Sequence, residues 1–194
     1  MRRKIAILIF DEVEVLDFAG PFEVFSVTRD PDTREPLFDV MLVAETQEPV
    51  AARGDFRVVP HYTLENCPTP DIILVPGGNT AVVRESARVL DWLRAHAGIE
   101  QILSVCTGAM ILGKAGLLDG LSATTYHTAF ERLAEIVPSV TLRRGERWVD
   151  NGQVVTSAGV SAGIDMALYV VEKLCGKPTA ERTARSMEYD YYPR

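Results

Sequence analysis

Ile102-Leu103-Ser104-Val105-Cys106-Thr107-Gly108-Ala109-Met110-Ile111-Leu112 is the stretch on which the fold turns. A short apolar run ends at Cys106, and a helical pattern begins directly after it. Thr107, Gly108 and Ala109 are small, as a chain that bends sharply from strand to helix requires. The side chain at such an elbow is held out at the end of the strand. The amino end of the following helix favours a thiolate and is expected to lower the cysteine pKa. Its free amides, starting at Thr107, can hold a developing negative charge. Free cysteine is often plain core, but the strand-Cys-Thr-Gly-helix setting marks Cys106 as a functional thiol. Cys67 and Cys175 have no such setting and read as structural.

Outward from this turn, short apolar runs alternate with helical patterns. Strands are predicted at 4–10, 38–43, 55–59, 71–75, 101–105 and 122–125. Helices are predicted at 21–28 with Pro21 near the start, 86–97 closing at Gly98, 108–115 closing at Gly116, 128–137 before Pro138, 161–174 and 179–187. Residues 148–155 read as a hairpin, with Asn151-Gly152 suited to a type I′ turn. This alternation is the signature of a mostly parallel sheet with helices on both faces, an α/β fold. In such sheets ligands sit beyond the carboxyl ends of the strands. The residues just after each strand therefore carry the functional question.

The composition narrows that question. A chain of 194 residues, 47% apolar and 24% charged, fits a single domain over 1–194 with a sizeable core. A net charge of -7 offers no basic field for nucleic acid or an anionic membrane. The basic start Met1-Arg2-Arg3-Lys4 precedes an apolar run of only six residues, closed by Asp11 and Glu12. A secretory core needs about 7–15, and a membrane span about 20. Three widely spaced cysteines with no CxxC argue against a disulfide framework or zinc site and fit a reducing cytoplasm.

A cysteine nucleophile needs a partner that moves protons. Asp17 stands among apolar residues beyond the first strand, with Glu12 and Glu14 as rivals from the same loop. Gly77 and Gly78 follow another central strand and can bring a second amide close to a ligand. Of three histidines, His96 falls on an amphipathic helix and His61 has no clear role. His127 follows the strand at 122–125 and is a candidate pocket residue.

Five blocks in order resemble the DJ-1/PfpI superfamily over essentially the whole chain. They are Leu16-Asp17-Phe18-Ala19-Gly20-Pro21, Val75-Pro76-Gly77-Gly78, Ser104-Val105-Cys106-Thr107-Gly108, the run from Gly116 to Thr125, and the run from Ser157 to Asp165. The pattern is most similar to isonitrile hydratases and to the amidase-like domain of AraC-type regulators. The resemblance implies a flavodoxin-like three-layer sandwich, class I glutamine amidotransferase-like, assembled as a homodimer. It also implies Cys106 as nucleophile, Asp17 beside its thiol, Thr107 next to it, and Gly78 near an oxyanion position. The peptidase branch carries His directly after the cysteine; Thr107 stands there instead, which argues against proteolysis. The DJ-1 branch sets a glutamate against its cysteine, whereas Leu16-Asp17 fits the hydratase branch. Only twenty residues follow Leu174, too few for the DNA-binding region of the regulators, which needs about a hundred more. The hydratase and regulator branches commonly read Thr-Thr-His-Trp where this chain has Thr124-Thr125-Tyr126-His127. The histidine is displaced by one position, which along an extended chain reverses its direction.

The function implied is a hydro-lyase that adds water to an isonitrile through a Cys106 thioimidate, with no metal or organic cofactor and a small-molecule substrate. Glyoxalase- or deglycase-like chemistry on reactive carbonyls is the alternative enzyme. A redox sensor that oxidises Cys106 is the alternative without turnover.

Overall fold

The runs at 5–8, 72–75 and 102–105 contain no charged residue, and a strand with no polar face must be covered on both sides. The computed structural model, which describes residues 2–191, places all three at the centre of one sheet. The strands are β1 (Arg3–Leu8), β2 (Phe38–Ala44), β3 (Val50–Ala52), β4 (Phe56–Val58), β5 (Tyr62–Thr63), β6 (Ile72–Val75), β7 (Gln101–Val105), β8 (Ser122–Ala123), β9 (Thr141–Leu142), β10 (Trp148–Asp150) and β11 (Val154–Ser157). The main sheet runs β10-β11-β7-β6-β1-β2-β5. All neighbours in it are parallel except the β10–β11 hairpin. The helices are α1 (Val15–Val27), α2 (Ala87–Ala95), α3 (Gly108–Lys114), α4 (Phe130–Ile136), α5 (Ala162–Cys175) and α6 (Lys177–Ser186). Helices α1, α5 and α6 pack together on one face, and α2, α3 and α4 on the other. This is the expected three-layer sandwich.

Register places the site. Val75 of β6 lies opposite Ser104 of β7, and Val105 opposite Ser157 of β11. The carboxyl ends of three neighbouring strands are therefore level. Pro76-Gly77-Gly78, Cys106-Thr107 and Ala158-Gly159 emerge side by side.

Four local expectations are corrected. The helix expected at 21–28 begins at Val15, so Pro21 lies inside α1 and Asp17 in its first turn. An interior proline costs about 3 kcal/mol. Burial of Phe18, Val24 and Phe25, each worth about 1.5–3 kcal/mol, offsets that cost. Helix α2 ends before Gly98: the His96 N–H closes on the carbonyls of Leu93 and Arg94. The strand expected at 122–125 stops at Ala123 and pairs with β9 outside the main sheet. Beyond it, the Thr124 N–H donates to Thr156 Oγ1 at 3.0 Å and the Thr125 hydroxyl to the Cys106 carbonyl at 2.8 Å. The hairpin turn has positive φ at Gly152 but not at Asn151, so it is not type I′. The Asn151 side chain instead clasps both backbone groups of Ser122.

Candidate active site

Cys106 sits at φ +59°, a left-handed backbone conformation that costs a residue with a side chain about 1–3 kcal/mol. The fold holds it there through its own backbone. The Cys106 N–H donates to the Ser157 carbonyl at 3.1 Å, and its carbonyl accepts from the Thr125 hydroxyl. Cys106 is 5% exposed, so its side chain is almost wholly withdrawn from solvent.

Asp17 comes to the same point from the first turn of α1 and is fully buried. The Gly77 N–H donates to its Oδ2 at 3.0 Å. Its Oδ1 has no hydrogen-bond partner among the described residues. The Cys106 thiol faces the carboxyl, close enough to shift it but without the geometry of a formed hydrogen bond. Burial pushes Asp17 up from 3.8 to about 7, against the stabilising Gly77 N–H and the thiol. Burial, and then the charge of Asp17, push Cys106 up from 9.0 to about 12. The Thr107 N–H acts in the opposite direction on the sulfur. The expected lowered thiol pKa is thus corrected. Desolvation and a neighbouring carboxylate outweigh the start of a short helix, and the resting sulfur is protonated.

The glycine turn after β6 is drawn into this pair. A Cβ on Gly77 would lie 2.6 Å from Thr107 N and 2.8 Å from Asp17 Oδ2, so only glycine fits. The Thr107 hydroxyl accepts from the Gly78 N–H and donates to the Gly78 carbonyl, both at 3.0 Å. The expected oxyanion role of Gly78 is corrected on this point: its amide is already spent on Thr107, as that of Gly77 is on Asp17. Glu12 and Glu14 do not reach the sulfur. Their backbones pin the glycine turn, with Glu14 N–H to the Gly77 carbonyl at 2.9 Å and Asn79 N–H to the Glu12 carbonyl at 3.0 Å. The Glu14 carboxylate pairs with Arg53 at 2.8 Å, and Glu12 is exposed.

Gly159, in the turn after β11, is a site element that composition and spacing do not reveal, although it lies within the Ser157 to Asp165 block. A Cβ there would meet Cys106 Sγ at 2.8 Å and Tyr126 Cδ2 at 2.7 Å. Beyond it lies a cavity of about 160 Å³ lined by Thr125, Tyr126, His127, Phe130 and the 145–147 segment. His127 is exposed and leans on Tyr126, with ring centroids 4.3 Å apart. It belongs to the outer wall and does not contact the sulfur, while Tyr126 takes the inner position. Among the described residues, no group of three His, Cys, Asp or Glu is gathered to hold a metal.

The sequence profile of the DJ-1/PfpI family matches residues 3–173. The chain belongs to that family. Within the DJ-1/PfpI family it is 36% identical to an isonitrile hydratase of Pseudomonas putida, over 97% of this chain and 79% of that protein. It is 25% identical to the HTH-type transcriptional regulator GbdR of Pseudomonas aeruginosa, spanning 97% of this chain but only 51% of the regulator. A THiJ/PfpI family protein from Pseudomonas syringae superposes with a TM-score of 0.88 at 29% identity, covering all of this chain and 77% of that one. Drosophila melanogaster DJ-1beta shares the DJ-1/PfpI fold, with a TM-score of 0.86 at 22% identity over 98% of this chain and all of that one.

Proposed function

We propose that this DJ-1/PfpI protein is an isonitrile hydratase-like lyase with Cys106 as nucleophile and Asp17 as its proton carrier. One observation carries this reading: a buried carboxyl with raised proton affinity faces a buried thiol, and the neighbouring amides are spent on holding the pair. Above about pH 7 the pair holds one proton, resting as thiol and carboxylate. Transfer of that proton to Asp17 creates the thiolate where it is needed. The sulfur attacks the terminal carbon of R–N≡C, and Asp17 returns the proton to that carbon, giving the thioimidate Cys–S–CH=N–R. Water then adds across C=N, its oxygen to carbon and a proton to nitrogen. Collapse expels the cysteine sulfur and releases the formamide R–NH–CHO. The Thr107 N–H supports the charged sulfur at both ends of the cycle.

This step builds no oxyanion during the first attack. Attack on an aldehyde or ketone would, and it needs free donors at that point. With the Gly77 and Gly78 amides committed, the site suits an isonitrile better than a reactive carbonyl. A redox sensor wants a low-pKa, accessible thiol, which is the opposite of Cys106. The Drosophila DJ-1alpha relative, 27% identical over 87% of this chain, keeps those chemistries in the test. The purified protein is assayed with an aryl isonitrile, with methylglyoxal and with dilute peroxide. Formamide production that vanishes in Cys106→Ala is the expected result. Turnover of methylglyoxal alone, or sulfinic acid at Cys106 with no turnover, would replace this function with one of the alternatives.

We further infer a single-domain cytoplasmic enzyme that works as a homodimer on a small molecule. Leu16 on α1, Phe56 at the start of β4 and Val59 just after it are exposed apolar side chains. The Glu14–Arg53 pair links the start of α1 to the β3–β4 hairpin. A monomeric mass by light scattering at micromolar concentration would remove the dimer.

A further inference from the structure

Thr124-Thr125-Tyr126-His127 stands out in the sequence for its displaced histidine, and the chemistry above leaves its second threonine unused. Thr125 is 1% exposed, and its hydroxyl donates to the Cys106 carbonyl at 2.8 Å. That carbonyl shares one rigid peptide plane with the Thr107 N–H, and in a trans peptide the two point in opposite directions. No cis peptide bond is present among the described residues. Fixing the carbonyl toward Thr125 therefore aims the Thr107 N–H away from Thr125, on the side of the Cys106 sulfur, whose proton affinity it lowers without a formed hydrogen bond to the resting thiol. The other handles on this turn are spent elsewhere. The Cys106 N–H is held by Ser157, and the Thr107 hydroxyl is locked to both backbone groups of Gly78. Neither of them sets the tilt of the plane between Cys106 and Thr107.

We propose that Thr125 is a positioning residue for Cys106: its hydroxyl orients the 106–107 peptide so that the Thr107 N–H stabilises the thiolate. This rests on Cys106 being the nucleophile but not on the identity of the substrate. Asp17 from α1 is the titratable group facing the sulfur, and the Glu14 carboxylate, paired with Arg53, acts on Asp17 from behind. The turns after β6 and β11 present only glycine there, and Tyr126 closes the side beyond Gly159. None of these groups changes when Thr125 is substituted. A shift in thiol ionisation in a Thr125 variant therefore reports the peptide plane.

The test is the pH dependence of Cys106 alkylation by iodoacetamide, with no substrate present. Loss of one hydrogen bond to a charged group moves such a midpoint by about one to two pH units. Thr125→Val keeps the shape and removes the donor. Its midpoint is expected to rise by that amount, so that alkylation at fixed pH below it slows by about tenfold or more. Thr125→Ser restores the donor and is expected to stay within about twofold of wild type. Should the valine variant fail to fold, Thr125→Ala removes the donor without adding volume, and the same rise is expected. A folded valine or alanine variant with the wild-type profile overturns the proposal, as does a serine variant that shifts as far as valine. Failure of formamide production while the Thr125 variants shift as expected would instead strike the hydratase reading and leave this one standing.

Discussion

The two walls around Cys106 are built on opposite principles. The inner wall is Asp17, Gly77, Gly78 and Thr107, held by hydrogen bonds from Gly77 to Asp17 and between Gly78 and the Thr107 hydroxyl, with Asp17 Oδ1 left unpaired among the described residues. The outer wall is Tyr126, His127, Phe130 and the 145–147 segment around a cavity, with aromatic faces and an exposed imidazole. A site that must move a proton between two fixed atoms gains from rigidity, because the geometry is set before substrate arrives. A site that must admit a variable substituent gains from an apolar surface with few fixed demands. Under the function proposed above, the difference places chemistry on the inner wall and choice of substrate on the outer one.

After Cys106→Ala, the sharpest test of this division is Asp17→Asn. The amide side chain can still accept from Gly77 but carries no charge and no transferable proton. Turnover is expected to fall by about 10²–10⁴-fold, the usual worth of general acid–base help. The thiol should at the same time become easier to ionise, since the Asp17 charge is one reason its pKa is raised. Faster alkylation with slower turnover is the signature. A parallel fall in both would mean that Asp17 only positions the sulfur. In wild type, kcat/KM is expected to rise through about pH 7 as the pair loses its first proton, and that limb should vanish in Asp17→Asn.

The same carboxyl makes a stability statement. Its pKa is higher folded than unfolded, so between about 4 and 7 the native state holds the extra proton. Stability from this group is therefore present at low pH and declines as pH rises through that window. Relative to wild type, Asp17→Asn should gain stability by a few kcal/mol between pH 4 and pH 8, as read by urea melts. A constant difference across that range would contradict the burial argument for Asp17.

Gly159→Ala tests the seam between the walls. The new methyl would lie within contact distance of both Sγ and the Tyr126 ring. An overpacked site costs about 1–3 kcal/mol, and the sulfur is the movable neighbour. Alkylation and turnover should both fall, with the far-UV spectrum unchanged. An alanine variant as active as wild type would show that the two walls are not in contact through this glycine.

Much of this was legible in the sequence, for identifiable reasons. The strands at 5–8, 72–75 and 102–105 have no polar face, and only a doubly covered parallel sheet satisfies them. The elbow at Cys106 announced itself because a strand, a bend and a helix start all demand small residues at 107–109. Asp17 could be nominated because it stands among apolar residues beyond a strand end, but sequence left Glu12 and Glu14 as rivals and Pro21 masked its helix. The state of the thiol was not legible. Local sequence shows the helix start that lowers a pKa, but the burial and the distant carboxylate that raise it come from elements far along the chain. Gly78 misled for the same reason. Its amide looked free until the Thr107 hydroxyl, 29 positions away, closed on it. Gly159 and Thr125 are ordinary in sequence: the register of β7 and β11 brings the first beside Cys106, and the segment after β8 brings the second to its carbonyl.

The smallest effect is expected at His127, which tests the outer wall alone. The side chain is exposed and its one described ring contact is to Tyr126. His127→Ala should leave stability within about 0.5 kcal/mol, as for most surface changes. Turnover of a small isonitrile should change little, because nothing near the sulfur moves. A bulky isonitrile that fills the cavity loses one face of its binding wall and should show a raised KM with an unchanged kcat. That split follows from uniform binding, in which a contact is made equally in the ground and transition states. A fall in kcat for the small substrate would place the imidazole in the proton path instead. The displaced histidine would then be chemical machinery, and the division between the two walls would fail.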